Sequence, residues 1–334
     1  MKKTILLAIC FMLLAGTSVF AGGSGEGSVK TWKVSHVRPD GTSTDLDVKD
    51  FIKEVDEKSG GKIKMDVYSN SQLGNYTVVQ ERVSVGDVEL QLAPAGTSVT
   101  KAMGIASAPY LVSTWDDVRR VFKRGAPLWN SMDQLFDKEN IKVLAMYPKY
   151  FGGIALAKEP KDVMNLGTPK GLKIRVPGMK AYEKTAEAYG FIATPIAFSE
   201  AFTAMQTGIV DGAIGSGAEG YWSSFRDLTK YYLPVNDHFE MWYLMMSKDV
   251  WKKLTDAEKK IVSDAAMNFE KKRFANAEGE AKDYESKLEQ NGVKIIRYSD
   301  AQLKAIAKKV ETEVWPLIKA DYGAEFFDDI VSKR

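Results

Sequence analysis

Arg175 has the clearest chemistry in this 334-residue chain. It lies in the segment Leu-Lys-Ile-Arg-Val-Pro at 172–177, which predicts a short strand that ends at Pro177. Ligands of α/β proteins usually bind at the carboxyl ends of strands, and a guanidinium presents a planar fork of donors that matches a carboxylate. Because Pro177 restricts the residue before it, the arginine is held on a stiff segment. The segment predicts a small-anion site, although position alone is equally compatible with a surface arginine that closes a strand.

His36 and Arg38 lie where the first predicted strand gives way to the first predicted helix. Backbone N–H groups and the helix dipole attract anions at such a place. Arg38 is therefore our candidate for a second cation, with a solvated arginine beside Pro39 as an equal alternative. For His36, packing inside the protein is favoured over contact with a ligand.

The turn after the third predicted strand is a further candidate. It would bring backbone N–H groups and hydroxyls to a cleft, with an ordinary strand-to-helix connection as the alternative. Its candidate residues are Pro94, Ala95, Gly96 and Thr97.

Aromatic and small residues complete the candidate set. Tyr150 and Phe151 follow an apolar strand and would stack on a flat or apolar ligand, with core packing as an equal alternative. The remaining candidates are Pro177, Gly215, Ser216, Asn236 and Phe239. Two tryptophans, Trp222 and Trp242, are secondary candidates that we expect to pack in the core.

The letters Gly-Ser-Gly-Ala-Glu-Gly at 215–220 match the glycine pattern of dinucleotide-binding turns. The acidic residue near the expected spacing, Asp237, comes before the next apolar strand instead of at its end, so we reject this function. The glycines are expected to form a crossover between two lobes and to let the backbone approach a ligand.

The first 21 residues predict a secretory signal peptide that is removed near Ala21, because Lys2 and Lys3 precede an apolar run too short to span a bilayer. Removing these lysines from the 46 basic residues leaves 44 against 44 acidic residues, so the exported chain has no net charge. Neither nucleic acid nor a polybasic membrane contact is indicated. The only cysteine, Cys10, lies in the signal. The leader at 22–28 is rich in glycine and serine and is expected to be flexible.

Catalytic signatures are weak in this sequence. It contains two histidines, and it has neither a G-x-S-x-G elbow nor an H-E-x-x-H pair. We therefore predict no catalytic residue, no metal ion, no cofactor and no enzymatic activity.

Strands and helices alternate along the chain, which predicts mostly parallel sheets covered by helices. The predicted strands lie at 31–37, 63–68, 90–93, 141–146, 154–157, 173–176, 192–195, 213–214 and 238–246. The predicted helices lie at 44–59, 77–85, 115–136 with an interruption at 125–127, 180–189, 199–207 and 257–290. The last of these has a possible bend at Gly279 and, at about 1.5 Å per residue, would reach roughly 50 Å. About 310 residues exceed what one hydrophobic core usually holds, so two lobes with a cleft between them are expected.

Several short motifs occur in a fixed order along the chain. They are Gly-Gly-Lys-Ile at 60–63, Ser-Gln-Leu-Gly at 71–74, Ala-Pro-Tyr at 108–110, Gly-Leu-Lys-Ile-Arg-Val-Pro at 171–177, Phe-Ser-Glu at 198–200 and Gln-Thr-Gly-Ile-Val-Asp-Gly at 206–212. In this order and spacing the chain resembles the DctP-type solute-binding proteins of TRAP (tripartite ATP-independent periplasmic) transporters over nearly its whole exported length.

This resemblance implies a two-lobe periplasmic binding protein fold with mixed sheets flanked by helices. A long helix in the C-terminal half would span both lobes, and the lobes would close around one organic anion. The loaded protein would dock on small and large membrane subunits of the DctQ and DctM types, which import the solute with a sodium gradient. The resemblance also implies that Arg175 forms a two-pronged salt bridge to the ligand carboxylate.

Family members often carry another arginine in the strand before the one that bears Arg175. Here that position falls on Gly152, beside Tyr150 and Phe151. This departure favours a ligand with one anionic group over a dicarboxylate, or a different cation for the second contact.

The sequence therefore predicts a periplasmic binding protein for a small organic anion, most simply a monocarboxylate. Lobe I is expected at 29–150 and about 240–278, and lobe II at 151–239 and about 279–334. The alternatives are an exported α/β enzyme acting on carboxylated substrates, a protein that binds a small sulfonate or a dicarboxylate, and a receptor that passes its solute to a sensor domain.

Overall fold

The structure, a computed structural model, describes residues 29–334. Two sheets, one of five strands and one of six, are each covered by helices and form two lobes. The predicted signal peptide and leader lie outside the described residues. We call the lobe of the five-stranded sheet lobe I and the other lobe II.

The five-stranded sheet of lobe I has the order β2-β1-β3-β10-β4. Its strands are β1 (Lys30–His36), β2 (Ile63–Tyr68), β3 (Leu90–Pro94), β4 (Ile141–Phe151) and β10 (Phe239–Ser247). The six-stranded sheet of lobe II has the order β11-β9-β5-β8-β6-β7. Its strands are β5 (Gly153–Leu156), β6 (Lys173–Val176), β7 (Ile192–Pro195), β8 (Gly212–Ser216), β9 (Tyr231–Leu233) and β11 (Lys294–Ile295).

Both sheets are mixed. Strand β1 is parallel to β2 and β3, and β6 is parallel to β7 and β8. In contrast, β10 runs antiparallel between β3 and β4, and β5 runs antiparallel between β8 and β9. The expectation of mostly parallel sheets was therefore too simple, because β5 and β10 are the strands by which the chain enters one lobe from the other.

Helices cover both sheets. Up to residue 225 the helices, in chain order, are α1 (Ser43–Lys58), α2 (Tyr76–Ser84), a 3-10 helix (Lys101–Ser107), α3 (Trp115–Val121), α4 (Pro127–Lys138), α5 (Lys180–Ala188), α6 (Phe198–Gln206) and α7 (Ala218–Phe225). The C-terminal part adds α8 (Lys248–Lys252), α9 (Asp256–Gln290), α10 (Asp300–Glu313), α11 (Trp315–Tyr322) and α12 (Ala324–Ser332). The interruption predicted within 115–136 is confirmed, since two helices occupy that range.

Two crossings connect the lobes side by side. Strand β4 continues into β5 through Gly152, and β9 continues into β10 through residues 234–238. The backbone N–H of Gly152 donates to the carbonyl of His238 at 2.8 Å, so the two crossings are hydrogen-bonded to each other. A change in the angle between the lobes would have to bend both crossings together.

Helix α9 has 35 residues and spans both lobes. It starts with a capping box in which Thr255 and Glu258 satisfy each other's backbone N–H groups. It packs on α1 and β4 of lobe I and on α7 of lobe II. The helix continues through Gly279 without interruption. Within residues 29–334, no helix combines the length and apolarity that crossing a membrane requires.

Candidate ligand-binding site

A cavity of about 40 Å³ lies between the lobes. Lobe I contributes the ends of β1 and β3, and lobe II contributes the ends of β6 and β8. A wider groove of about 310 Å³ adjoins it, and the two spaces share Tyr76, Arg175, Met179 and Phe198. We call the first space the interlobe cavity. Residues of both lobes therefore line this small space.

Among the described residues, Arg175 is the cation of the cavity wall that has no carboxylate partner. Its side chain is 3 % exposed. Nε donates to the carbonyl of Ile196 at 2.8 Å, and one terminal nitrogen lies 3.4 Å from the carbonyl of Ile214. Among the residues that the structure describes, no carboxylate oxygen lies within ion-pair distance of it. Burial lowers the pKa of Arg175, with Tyr76 opposing, because a desolvated cation favours its neutral form. A carboxylate ligand would relieve that cost.

The local sequence explains the position of Arg175. Strand β6 pairs with β7 on one side and β8 on the other, so the arginine stands near the end of a central strand. Gly215 of β8 has φ +95°, and a Cβ there would lie 2.6 Å from Pro177 and 3.5 Å from the Arg175 guanidinium. The absence of a side chain at 215 therefore makes room for both.

A second cation, Arg38, lies on the wall contributed by lobe I and is 1 % exposed. Unlike Arg175, it has an acidic partner in lobe II: a terminal nitrogen donates to Glu219 Oε2 at 3.1 Å. Another bond from the same nitrogen goes to the Tyr150 hydroxyl at 2.7 Å. Lys149 Nζ lies 3.0 Å from the same Glu219 oxygen, within ion-pair distance, and donates to the Thr44 hydroxyl at 2.7 Å. We call Arg38, Lys149 and Glu219 the interlobe triad.

The pKa values of the triad follow from burial and mutual attraction. Burial alone would raise the pKa of Glu219, but Arg38 and Lys149 lower it to about 2. Burial lowers the pKa of Lys149 to about 8 despite the charge of Glu219. Near neutral pH two buried cations thus share one carboxylate, and the triad carries one positive charge.

Three glycines of 215–220 make room for this arrangement. A Cβ at Gly217 would lie 2.5 Å from the Tyr150 ring, and one at Gly220 would lie 2.7 Å from Arg38. Together with Gly215 these positions let β8 and α7 approach the cavity wall. The glycine pattern therefore has a packing explanation, as expected from the rejection of a dinucleotide turn.

Glu240 brings a carboxylate to the cavity wall and is 6 % exposed. Its Oε1 accepts from the indole N–H of Trp242 at 2.6 Å. His238 Nε2 lies 3.3 Å from Oε2, within ion-pair distance but not aligned for a hydrogen bond. His238 Nδ1 lies 2.7 Å from Asp237. Burial opposes the charged imidazole, yet Asp237 and Glu240 raise the pKa of His238 to about 10.

The model of bacterial extracellular solute-binding proteins, family 7 (DctP), matches residues 34–319. The chain belongs to the DctP family. The resemblance that the motifs indicated is thereby confirmed.

Relatives and solved structures agree with this assignment. A solute-binding protein of Chromohalobacter salexigens is 25% identical over 304 residues, which cover 90% of this chain and 89% of the relative. The sugar acid binding protein DctPAm of Advenella mimigardefordensis, solved in complex with galactonate, matches with a TM-score of 0.84 at 20% identity, over 92% of this chain and 98% of that one. A TRAP periplasmic solute-binding protein of Polaromonas sp. JS666, bound to D-erythronate, gives 0.80 at 22% identity, over 91% and 99%. These structures confirm the predicted two-lobe fold class.

The structure brings about half of the predicted site residues to the cavity of this DctP-family protein. They are Arg175, Arg38, Pro94, Ala95, Tyr150, Pro177, Gly215 and Ser216. Trp242, which we expected only in the core, is 1 % exposed and also forms part of the cavity wall. Trp222, the other tryptophan, has Arg226 over its ring.

The other predicted residues lie elsewhere. His36 is fully buried, and its Nε2 lies 3.2 Å from Asp45 of α1. Gly96 donates its N–H to Gln80, and Thr97 lines the adjoining groove. Phe151 and Asn236 line a separate groove of about 440 Å³ beside the lobe crossings.

Phe239 packs away from the interlobe cavity. Its ring makes edge contacts with Trp115 and Phe151 at centroid distances of 5.2 and 5.1 Å. The residue is 2 % exposed and belongs to the hydrophobic core.

The missed residues of the cavity wall are mostly aromatic or polar. They are Val37, Tyr76, Ser107, Met179, Tyr182, Phe198 and Glu240. Phe198 lies in a motif that carried the family resemblance, so its position was available as a signal. Tyr76 and Tyr182 lie in the first turns of α2 and α5, where nothing in the sequence separates them from core residues.

Gly152 has a structural explanation in this DctP-family chain. A Cβ at this position would lie 2.2 Å from the ring of His238. The imidazole therefore occupies the space into which a side chain at 152 would extend. This ring is also the partner of Asp237 and lies within ion-pair distance of Glu240.

Proposed function

We propose that this protein is the extracytoplasmic solute-binding subunit of a TRAP transporter and captures a small organic monocarboxylate between its lobes. Arg175 carries this proposal. It is a buried guanidinium on the cavity wall, held by two backbone carbonyls and without a carboxylate partner among the described residues. Its remaining donors match the two oxygens of a carboxylate.

The charges around the cavity support a ligand with one negative charge. The count covers the charged residues of the cavity wall and those joined to them by ion pairs: the cations are Arg38, Lys149, Arg175 and His238, and the carboxylates are Asp237, Glu219 and Glu240. Four positive charges against three negative ones leave one positive charge. A monoanion balances this charge, whereas a dianion would leave an uncompensated negative charge in a buried site, which is costly.

The solved relatives are consistent with this ligand class. Galactonate and D-erythronate, the ligands in the two structures compared above, each contain one carboxylate. Both relatives are below 25% identical to this chain, so they support the class and not the individual compound. A small sulfonate and a dicarboxylate are the rival ligands.

Capture would proceed by hinge motion. Residues 29–150 with about 240–278 would move as lobe I, and residues 151–239 with about 279–334 as lobe II. The crossings at Gly152 and 234–238 are the proposed hinge. Closure requires contacts that only the closed form makes, and Arg175 with the ligand carboxylate would supply them. The proposed site consists of Arg175, Arg38, Pro94, Ala95, Tyr150, Pro177, Gly215 and Ser216, and Thr97 lies at its entrance.

The loaded protein would deliver the acid to a small and a large membrane subunit of the DctQ and DctM types, with uptake coupled to sodium. Export by the signal peptide at 1–21 would place it in the periplasm. An enzyme is the competing class, and it would need a titratable group free to react. Three groups with strongly shifted pKa values, Lys149, Glu219 and His238, are each held in an ion pair. This pairing favours binding over catalysis.

Thermal unfolding against a panel of organic acids tests the proposal. A ligand at 100 times its dissociation constant should stabilise the protein by about 2.7 kcal/mol. We expect one or more monocarboxylates to raise the melting temperature of the wild type and to leave that of Arg175→Met unchanged. Stabilisation by dicarboxylates alone, or equal stabilisation of both proteins, would contradict the proposal. An uptake assay tests delivery. Cells that contain the membrane subunits should take up the same acid when this protein is present and should not take it up when it is absent.

A further inference from the structure

The interlobe cavity contains a negative group as well as the cation that binds the anion. Glu240 lies on the cavity wall, although its position in an apolar, fully buried strand gives no indication of a ligand contact. A carboxylate beside an anion site would weaken binding unless the ligand gave it a proton donor. The presence of Glu240 therefore constrains what the ligand can be.

Strand alternation accounts for the direction of Glu240. Side chains two residues apart on a strand lie on the same face, and Glu240 and Trp242 of β10 both lie on the cavity wall. The register shift between β10 and β4 leaves the extra residue, Lys149, on the partner strand β4. Glu240 is thus held in place by its own strand and by the bond from Trp242.

Glu240 has acceptor capacity to spare. A carboxylate offers about four lone-pair sites. The indole N–H of Trp242 occupies one of them on Oε1, and His238 approaches Oε2 at 3.3 Å without alignment for a hydrogen bond. Its charge also acts on Arg175, Tyr76 and Tyr182, which places it within electrostatic reach of the opposite walls of the cavity.

We infer that Glu240 is a specificity-determining residue that accepts a hydrogen bond from a ligand hydroxyl and repels a second carboxylate. The ligand would be a hydroxy monocarboxylate whose acid group contacts Arg175 and whose hydroxyl contacts Glu240. A hydroxyl is favoured over an ammonium because the charges around the cavity already require a ligand with a net charge of −1. This inference rests on the proposed function and adds the ligand class to it.

A four-carbon series tests this inference at constant chain length. The probes are D-erythronate with its hydroxyls, butyrate without them, 4-aminobutyrate and succinate with a second carboxylate. Calorimetric titration of the wild type should show D-erythronate binding at least tenfold more tightly than each of the others. Butyrate would lose the donor, because a site built to bind a hydroxyl rejects an analogue that lacks it.

Two variants of Glu240 separate charge from shape. Glu240→Gln keeps the size and removes the charge, so the preference for D-erythronate over succinate should fall at least tenfold. Glu240→Asp keeps the charge and should retain the rejection of succinate even if all affinities fall. Glu278→Gln, an exposed carboxylate between Arg119 and Lys282, is the matched control and should leave every ratio unchanged.

The outcomes are distinct from those of the proposed function. The inference is wrong if D-erythronate does not bind, or if succinate or 4-aminobutyrate binds as well as D-erythronate. It is also wrong if Glu240→Gln leaves the preference for D-erythronate over succinate within threefold of wild type. Binding that depends on Arg175 but not on Glu240 would overturn the inference alone. Binding of the acids that survives Arg175→Met would instead overturn the proposed function.

Discussion

The interlobe triad gives a prediction about closure. Arg38 comes from lobe I, Glu219 from helix α7 of lobe II, and Lys149 from the end of β4 next to the crossing. Replacing Glu219 by glutamine would leave two buried cations without a carboxylate. We expect this to penalise the closed form, because opening the cleft lets water reach both cations.

The size of the effect follows from the burial of the triad. The Arg38 and Lys149 side chains are 1 % and 0 % exposed, and Glu219 is 2 % exposed. Removing one partner of a buried charge pair costs about 2–5 kcal/mol, which corresponds to roughly 30-fold to a few thousand-fold in affinity. Glutamine retains one acceptor oxygen for the Ser223 hydroxyl and the cations, so we expect the lower part of this range, about 30- to 300-fold.

Calorimetric titration with the acid identified by thermal unfolding measures this loss. Small-angle scattering with and without the acid reports the fraction of closed protein. Glu278→Gln is again the matched control: its carboxylate also lies between two cations, but it is 33 % exposed, and such pairs contribute at most about 1 kcal/mol. If Glu219→Gln binds within threefold of wild type while its melting temperature falls, the triad stabilises the open and closed forms equally and the reasoning is refuted.

Further predictions concern pH and two glycines. The pKa of His238 is raised from 6.5 to about 10, so its charge stabilises the fold fully below about pH 6.5, and this contribution decreases as the pH rises. Between pH 6.5 and 8 the melting temperature should therefore fall more in wild type than in His238→Gln. Equal slopes of melting temperature against pH would contradict the assignment. Above pH 8 the lowered pKa of Lys149 acts in the opposite sense, because the unfolded chain then binds the extra proton, so the lower window is the diagnostic one. Gly220→Ala should lower the unfolding free energy by about 1–3 kcal/mol, since its Cβ would lie 2.7 Å from Arg38. Gly279→Ala, where a Cβ would extend into open space on helix α9, should raise the unfolding free energy by about 0.8–1 kcal/mol. Denaturant titration measures both variants, and a Gly220→Ala protein more stable than Gly279→Ala would refute the packing argument.

The sequence predicted most of the regular elements because their patterns are local. Alternation and helical spacing are properties of neighbouring residues, so β1, α1 and the long α9 were found close to their actual bounds. Strand β4 was predicted only as far as residue 146 and extends to Phe151. Pro148 cannot donate a ladder hydrogen bond, so a proline argues against a continuing strand, whereas the register shift between Glu240 and Met241 accommodates it.

Short elements defined by tertiary contacts were missed. Strands β9 and β11 have three and two residues, too few for any periodicity to show. The antiparallel directions of β10 beside β3 and of β5 beside β8 were also missed. They depend on the direction in which the chain crosses between the lobes, which no local pattern shows.

The site shows the same limit. Arg175 was predicted because a strand, a proline and a family motif all mark it. The pairing of Arg38 with Glu219 joins residues 181 positions apart, and no local pattern shows that a cation at 38 has its own carboxylate. Glu240 lies in a strand whose residues are all buried, and only its position on the cavity wall shows that it faces the ligand site.

The most direct measurement is the affinity of Arg175→Met for the monocarboxylate that stabilises the wild type. Methionine has a similar length and no charge. The substitution removes the bonds to Ile196 and Ile214, which destabilises the fold, and it also removes a desolvated cation, which stabilises it. Because these effects oppose each other, the melting temperature of the protein without ligand should stay within about 4 °C of wild type, equivalent to about 1–2 kcal/mol. Calorimetric titration should show binding weakened at least 30-fold, about 2 kcal/mol. Affinity within threefold of wild type, about 0.7 kcal/mol, would show that Arg175 does not bind the carboxylate.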